Sequence, residues 1–255
     1  MALQPKLKTQ SKNGSSSDLT AKQSFTAAMN YCSGYGVWKD WRRAFSLCQQ
    51  SAGRGNLDAM DALGSFYTYS IGVRRNFRLA ASWYRKAAKQ GNLNAQFNLA
   101  LCYADGHGVP RNYPQAIRWL QKPIRKRMPE AVYMLGRFYR FGQGVKKDAR
   151  KGFRLLSRAA QHGYADAMFS VGYCLSQGEG TNPDSQKALR WYKRAARTGH
   201  KEAAYNVGNF LERGRGTKPN LASAKVWYRM SAHLGDTDAK RALNRLASKR
   251  PQKQN

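Results

Sequence analysis

The sequence predicts an all-α protein, a right-handed α-α superhelix (solenoid) of six 36-residue helix-turn-helix repeats closed by a capping helix. Three observations predict it. Self-comparison at an offset of 36 aligns small, apolar and aromatic residues across 20–235 without a net insertion. Each aligned stretch holds two runs of helical apolar spacing separated by a glycine turn. A single helix pair cannot enclose its own Trp and Tyr, so neighbouring pairs must stack to cover them.

The repeats are 20–55, 56–91, 92–127, 128–163, 164–199 and 200–235, followed by a cap at 236–249. On the first helix, Leu63, Leu99, Leu135, Val171 and Val207 share one column, and the next residue is always small (Gly64, Ala100, Gly136, Gly172, Gly208). Gly64 and its equivalents are expected to let a neighbouring backbone approach closely. The glycine of Ile71-Gly72-Val73 breaks the helix and suits a positive φ. Asn76, and Asp40, Asn112, Asp148, Asp184 and Asn220 in the other repeats, then supply an N-cap for the second helix. That helix carries Ala80, Trp83, Tyr84, Ala87 and Ala88 on one face and stops at Gly91. Arg127 stands where the other repeats end in glycine. The polar final segment, DTDAKRALNRLASK, keeps the first-helix pattern and suits a cap. Residues 1–19 are expected to be a disordered basic segment and 250–255 a tail.

Composition limits the function. The 255 residues hold 45 Lys+Arg against 14 Asp+Glu, a formal charge of +31, with 42% apolar and 12% aromatic residues. That apolar content supports a packed core and argues against wholesale disorder. No apolar run reaches the roughly 18 residues of a membrane span. The N-terminal residues carry lysines without the apolar core of a secretory signal, so a cytoplasmic location is expected. Four cysteines in such a chain do not make a disulfide framework. Cys102 and Cys174 fill a core slot that Phe66, Phe138 and Phe210 fill elsewhere; Cys32 and Cys48 are expected as thiols. His107, His162, His200 and His233 are scattered, so no metal is expected. The Gly-x-Gly turns join two helices rather than follow a strand, which makes them structural rather than phosphate-binding. With no cofactor motif, no Ser/His/Asp constellation and no paired carboxylates, neither an enzyme nor a small-molecule substrate is expected.

The strings AQFNLALCYADGHGVPRNYPQAIRWLQK and AMFSVGYCLSQGEGTNPDSQKALRWYKRAARTG resemble the Sel-one-like repeat, a longer cousin of the tetratricopeptide repeat. The resemblance covers 20–249. It implies a curved α-α scaffold or adaptor for protein complexes, without catalytic residues. Cysteine-rich secreted relatives carry a Cys pair in every repeat; this chain lacks that pattern, so their proposed penicillin-related activity is not transferred.

The surface suggests where a partner binds. If 59, 63 and 67 mark the buried side of the first helix, 61 and 65 point away and 62 lies on the flank. In tetratricopeptide-like stacks the first helices line the concave groove. The 61 column reads Phe25, Asp61, Phe97, Tyr133, Phe169 and Tyr205, and the 62 column includes Asn98 and Asn206. An amide there resembles the asparagines that hold a peptide backbone in tetratricopeptide grooves. The aromatics could equally pack against the adjacent repeat.

Charge is richest in 122–158, where twelve Lys/Arg face only Glu130 and Asp148. There Pro123 occupies an alanine position and is expected to kink or shorten its helix. The stretch reads as a bend carrying the most positive surface, or as a solvated face on a drifting repeat. The partner-binding candidates are Phe97, Asn98, Tyr133, Arg137, Arg140, Lys146, Lys147, Phe169, Tyr205 and Asn206. The expected function is a non-catalytic scaffold binding an acidic protein or peptide through a concave, basic surface. The alternative is nucleic-acid or ribonucleoprotein binding through the same surface, although the usual nucleic-acid signatures are missing.

Overall fold

The computed structural model describes residues 19–248, and the secondary structure among them is helical. The order is α1 (Ala21–Ser33), α2 (Trp41–Gly53), α3 (Leu57–Tyr69), α4 (Phe77–Lys89), α5 (Leu93–Asp105), α6 (Tyr113–Arg125), α7 (Pro129–Phe141), α8 (Ala149–Gln161), α9 (Ala165–Gln177), α10 (Ser185–Arg197), α11 (Lys201–Arg213), α12 (Leu221–His233) and α13 (Thr237–Ser248). Odd-numbered helices are the first helices of the repeats, and α13 is the cap. The predicted N-terminal segment, apart from Leu19, and the tail lie outside the described residues.

Local chemistry fixes both ends of these helices. Each second helix is capped by the predicted residue: Asp40, Asn76, Asn112, Asp148, Asp184 and Asn220 accept a backbone N–H three residues ahead at 2.8–3.0 Å. Thr20 and Gln23 form a capping box on α1. Asn56 and Asn92 cap α3 and α5. The glycine at the turn is obligatory. Gly72 has φ +66, and a Cβ there would lie 2.6 Å from the Trp41 carbonyl carbon of the preceding repeat.

The chain divides into two compact blocks, one ending at Arg111 and the other starting at Asn112, within the third repeat. In the first block α1 to α5 pack each against the next, and in the second α6 to α13 do the same. The core follows the 36-residue columns: Ala59, Leu63 and Phe66 of α3 are buried, with Ala80, Tyr84, Ala87 and Ala88 of α4. Cys102 and Cys174 are buried in the slot that Phe66, Phe138 and Phe210 fill, as expected.

Two expectations change, and Arg127 departs from its column without changing the turn. The space above Gly64 belongs to a side chain rather than a backbone: a Cβ would lie 2.7 Å from Cζ of Tyr84. Gly172 and Gly208 meet Tyr192 and Tyr228 in the same way, at 2.8 and 2.7 Å, whereas at Gly136 the expected backbone approach is found, a Cβ lying 3.1 Å from the Leu156 nitrogen. The ring lies flat on the glycine while its hydroxyl finds a polar partner, which lets a buried tyrosine be satisfied. Pro123 does not shorten α6, which runs thirteen residues like the other second helices. It lies in the last turn, where only one backbone bond is lost, and its ring occupies the buried column of Ala87, Ala159 and Ala195. Arg127 keeps the turn that glycine makes elsewhere by adopting φ +59, a left-handed conformation costly for a side chain with a Cβ.

Candidate partner-binding surfaces

In the first block, a groove of about 640 Å³ opens on the first helices, lined by Phe25, Met29, Asp61 and Ser65 of the predicted columns and by Trp41 and Ile71. Its charge is negative. Neither α3 nor α5 contains Lys or Arg. Asn98, a predicted peptide-binding amide, donates Nδ2 to Asp61 Oδ1 at 2.9 Å, and Asn92 donates to Asp58 Oδ1 at 2.8 Å. Burial pushes the Asp61 carboxyl above its ordinary range, against the opposing effect of the Asn98 bond. Phe97, one residue before Asn98, is half-buried.

In the second block the aromatic column lies mainly between repeats. The Tyr133 ring meets Tyr164, which precedes α9, edge-on at 5.1 Å, and Arg137 stands 5.9 Å from its face. Phe169 stacks on His200 with centroids 4.6 Å apart. His200 caps α11, its Nδ1 accepting the Ala203 N–H at 3.3 Å, while Nε2 faces Asp166 at 3.5 Å. Tyr205 packs on Tyr228 of its own repeat at 5.5 Å. Asn206, beside it, is half-buried. For Tyr133 and Phe169 the structure therefore realises the packing alternative, which leaves only part of each ring to a partner.

Arg140 turns its charge inward. Its side chain is 11% exposed and bonded to Glu179 at 2.6 Å. The guanidinium lies between the Phe141 and Tyr173 rings at 4.8 Å from each. The Arg140 bond holds the Glu179 carboxyl below its usual range. Lys146 and Lys147, in the turn before α8, are exposed, as are Arg150, Arg154 and Arg158. Lys151 is half-buried, its Nζ donating to Tyr139 Oη at 2.8 Å.

Charge and groove thus fall on different helices. None of α2, α4, α6, α8, α10 and α12 contains Asp or Glu, while every one carries Lys or Arg. Acidic residues concentrate on first helices and at caps, and the aromatic and amide columns lie on first helices as well. The division is written in the sequence, helix by helix. Some cations lie over the half-buried tryptophans, as Lys86 does over Trp83 at 4.3 Å and Arg194 over Trp191 at 4.4 Å. Burial pushes the Cys48 thiol up to about 12 and the Cys102 and Cys174 thiols up to about 11. Among the described residues no cluster of three or more His, Cys, Asp or Glu could hold a metal ion. No described helix is long and apolar enough to cross a membrane.

Comparison with known proteins gives the architecture its relatives. The Sel1 repeat family model matches residues 57–92, 93–122, 129–164, 165–200 and 201–236. The second match stops just before Pro123, where the repeat is most degraded. A Sel1 repeat protein from Oxalobacter formigenes is similar at 30% identity and a TM-score of 0.80, over 91% of this chain and 67% of that one. A protective antigen of uropathogenic Escherichia coli with an SLR fold, c5321, is similar at 26% identity and a TM-score of 0.71, over 90% of this chain and 49% of that one. This chain therefore spans about half the length of that antigen. The immunity protein Pa5087 of Pseudomonas aeruginosa shares the fold at 20% identity and a TM-score of 0.57, over 86% of this chain and 82% of that one. No curated protein matches the sequence. With the family model matching most of the repeats, the chain belongs to the Sel1 repeat family.

Proposed function

We propose that this chain is a non-catalytic scaffold that holds an acidic protein partner on the cationic faces of its second helices. Sel1 repeat proteins generally mediate protein–protein interaction, and the family is generally non-catalytic. The observation that carries the reading is the absence of Asp and Glu from all six second helices of a chain of charge +31. An ordinary solvated surface mixes both signs; a face of one sign attracts the other and steers its approach. The densest cluster is Lys146, Lys147, Arg150, Arg154 and Arg158, at and on α8. Within the second block, Tyr133, Arg137, Phe169, Tyr205 and Asn206 offer a second, half-apolar contact on the first helices, whereas Arg140 supports the fold beside it; Phe97 and Asn98 belong to the first block, where Asn98 bonds Asp61 of the acidic groove.

A second reading, single-stranded nucleic acid, is favoured by one observation. Trp38 is 93% exposed on a surface it shares with Lys39, Arg42 and Arg43, and aromatic faces among cations stack bases. Crosslinking mass spectrometry in the native cell, with and without nuclease, tests both. The expected result is crosslinks from α8 to an acidic protein that persist after nuclease and vanish in the K146E/K147E/R150E/R154E variant. Crosslinks unchanged by that variant refute the cationic-face reading, and crosslinks abolished by nuclease replace it with the second one.

A further inference from the structure

The outward face of α12 departs from the pattern of the other second helices. Val226, Met230 and Leu234 follow one another at four-residue steps and are 55%, 39% and 39% exposed. In the five preceding repeats the Val226 column holds only Ser or Arg, and the Met230 column only Gln, Lys or Arg. The Leu234 column holds Arg, Gln, Lys, His and Thr. Apart from the half-buried Gln50 and Ser82, these columns are exposed in the other repeats too, so the exposure is no product of α12 lying near the end of the stack. Ala224, Tyr228 and Ser231 hold α12 to its neighbours from the opposite side.

We propose that Val226, Met230 and Leu234 form a docking stripe for an amphipathic helix of an acidic protein partner. The proposal rests on the protein-scaffold reading and gives it a location. Three apolar side chains at i, i+4 and i+8 make a ridge about 12 Å long, the spacing by which one helix lays its apolar face along another. Charge sets the rest of the chemistry. Lys225 and Arg229 flank the stripe, α12 contains no acidic residue, and the Val226 and Met230 columns on α10 hold Arg190 and Arg194. A helix with an apolar stripe edged by carboxylates satisfies both features. A second copy of this chain does not: three side chains fall far short of the roughly 800 Å² per partner of a standard interface. Any wider contact between copies would press cationic faces together.

The test uses the full chain and a fluorescein-labelled helical peptide of leucines at i, i+4 and i+8 edged by glutamates, with a scrambled peptide of the same composition. Fluorescence anisotropy is expected to show the helical peptide binding at least about tenfold more tightly than the scrambled one. V226R/M230R installs the residues that α10 carries. It is expected to abolish the preference for the helical over the scrambled peptide while leaving the melting temperature unchanged. No preference for the helical peptide, or a preference that survives V226R/M230R, overturns the proposal. So does sedimentation showing a wild-type dimer that V226R/M230R dissociates, because the occupant is then a second copy. The K146E/K147E/R150E/R154E variant separates the two claims. Weakening of both peptides alike supports the cationic-face reading, whereas no weakening, with the helical preference intact, refutes that reading and leaves the stripe standing.

Discussion

Replacing Gly64 with alanine tests how the two helices of a repeat fit together. The added Cβ would overlap Tyr84 Cε1 and lie 2.5 Å from Cδ1 and 2.7 Å from Cζ, against an ordinary carbon–carbon contact of about 3.5–4 Å. The ring must retreat by more than about 1 Å, and its hydroxyl resists because it bonds Ser65 Oγ at 3.2 Å and Thr68 Oγ1 at 3.3 Å. Overpacking of this kind costs about 1–3 kcal/mol, and replacing a mid-helix glycine with alanine returns about 1 kcal/mol. The expected net loss is about 0–2 kcal/mol, a fall in Tm of up to roughly 8 °C for a chain of this size. The repeats themselves suggest the compensating change, since Ala100 is aligned with Gly64 and Leu120 with Tyr84. In a urea-denaturation cycle, the G64A/Y84L double variant should lose less stability than the two single variants summed, with a coupling of about 1–2 kcal/mol. A G64A protein more stable than wild type, or a cycle with no coupling, refutes the idea that the ring dictates the glycine.

Two further outcomes follow from named contacts. Arg127→Gly relieves a left-handed residue costing about 1–2 kcal/mol and adds about 0.5–1 kcal/mol of unfolded-chain entropy. The urea midpoint should therefore rise by the equivalent of about 0–1.5 kcal/mol, and a fall in the midpoint contradicts the strain. Glu212 accepts two bonds from Arg245, at 2.6 and 2.8 Å, and one from Tyr228 at 2.8 Å. The Arg245 bonds hold its carboxyl below the ordinary value of 4.5, so the folded state binds that proton less readily than the unfolded chain. The stabilisation is complete above that ordinary value and disappears as pH falls through the lower folded one. Hydrogen-exchange protection of α13 should drop in that acid range, and Arg245→Met should flatten the drop; an equal drop in the variant removes Glu212 as its source.

The division of charge between helices changes what a concave groove can select. The first-block groove is lined by Asp58 and Asp61 and by no Lys or Arg, so an acidic peptide would meet like charge there. The positive field belongs to α2, α4, α6, α8, α10 and α12, whose surfaces differ from repeat to repeat only in side chains. Such a stack can vary one face for partners while its core columns stay fixed.

The sequence by itself determined the period, the placement of the helices, the caps of the six second helices and the core columns. These are local properties: helical spacing decides which residues share a face, an Asp or Asn side chain reaches its own helix terminus, and glycine permits the turn. The charge division was legible too, once Lys and Arg were assigned to helices. Tertiary structure alone decided that a tyrosine ring lies over Gly64, that His200 both caps α11 and stacks on Phe169, and that Arg140 meets Glu179 across 39 residues. Each of these depends on which rotamer fills the space between repeats, and packing of many side chains at once, rather than the pattern along one helix, selects it.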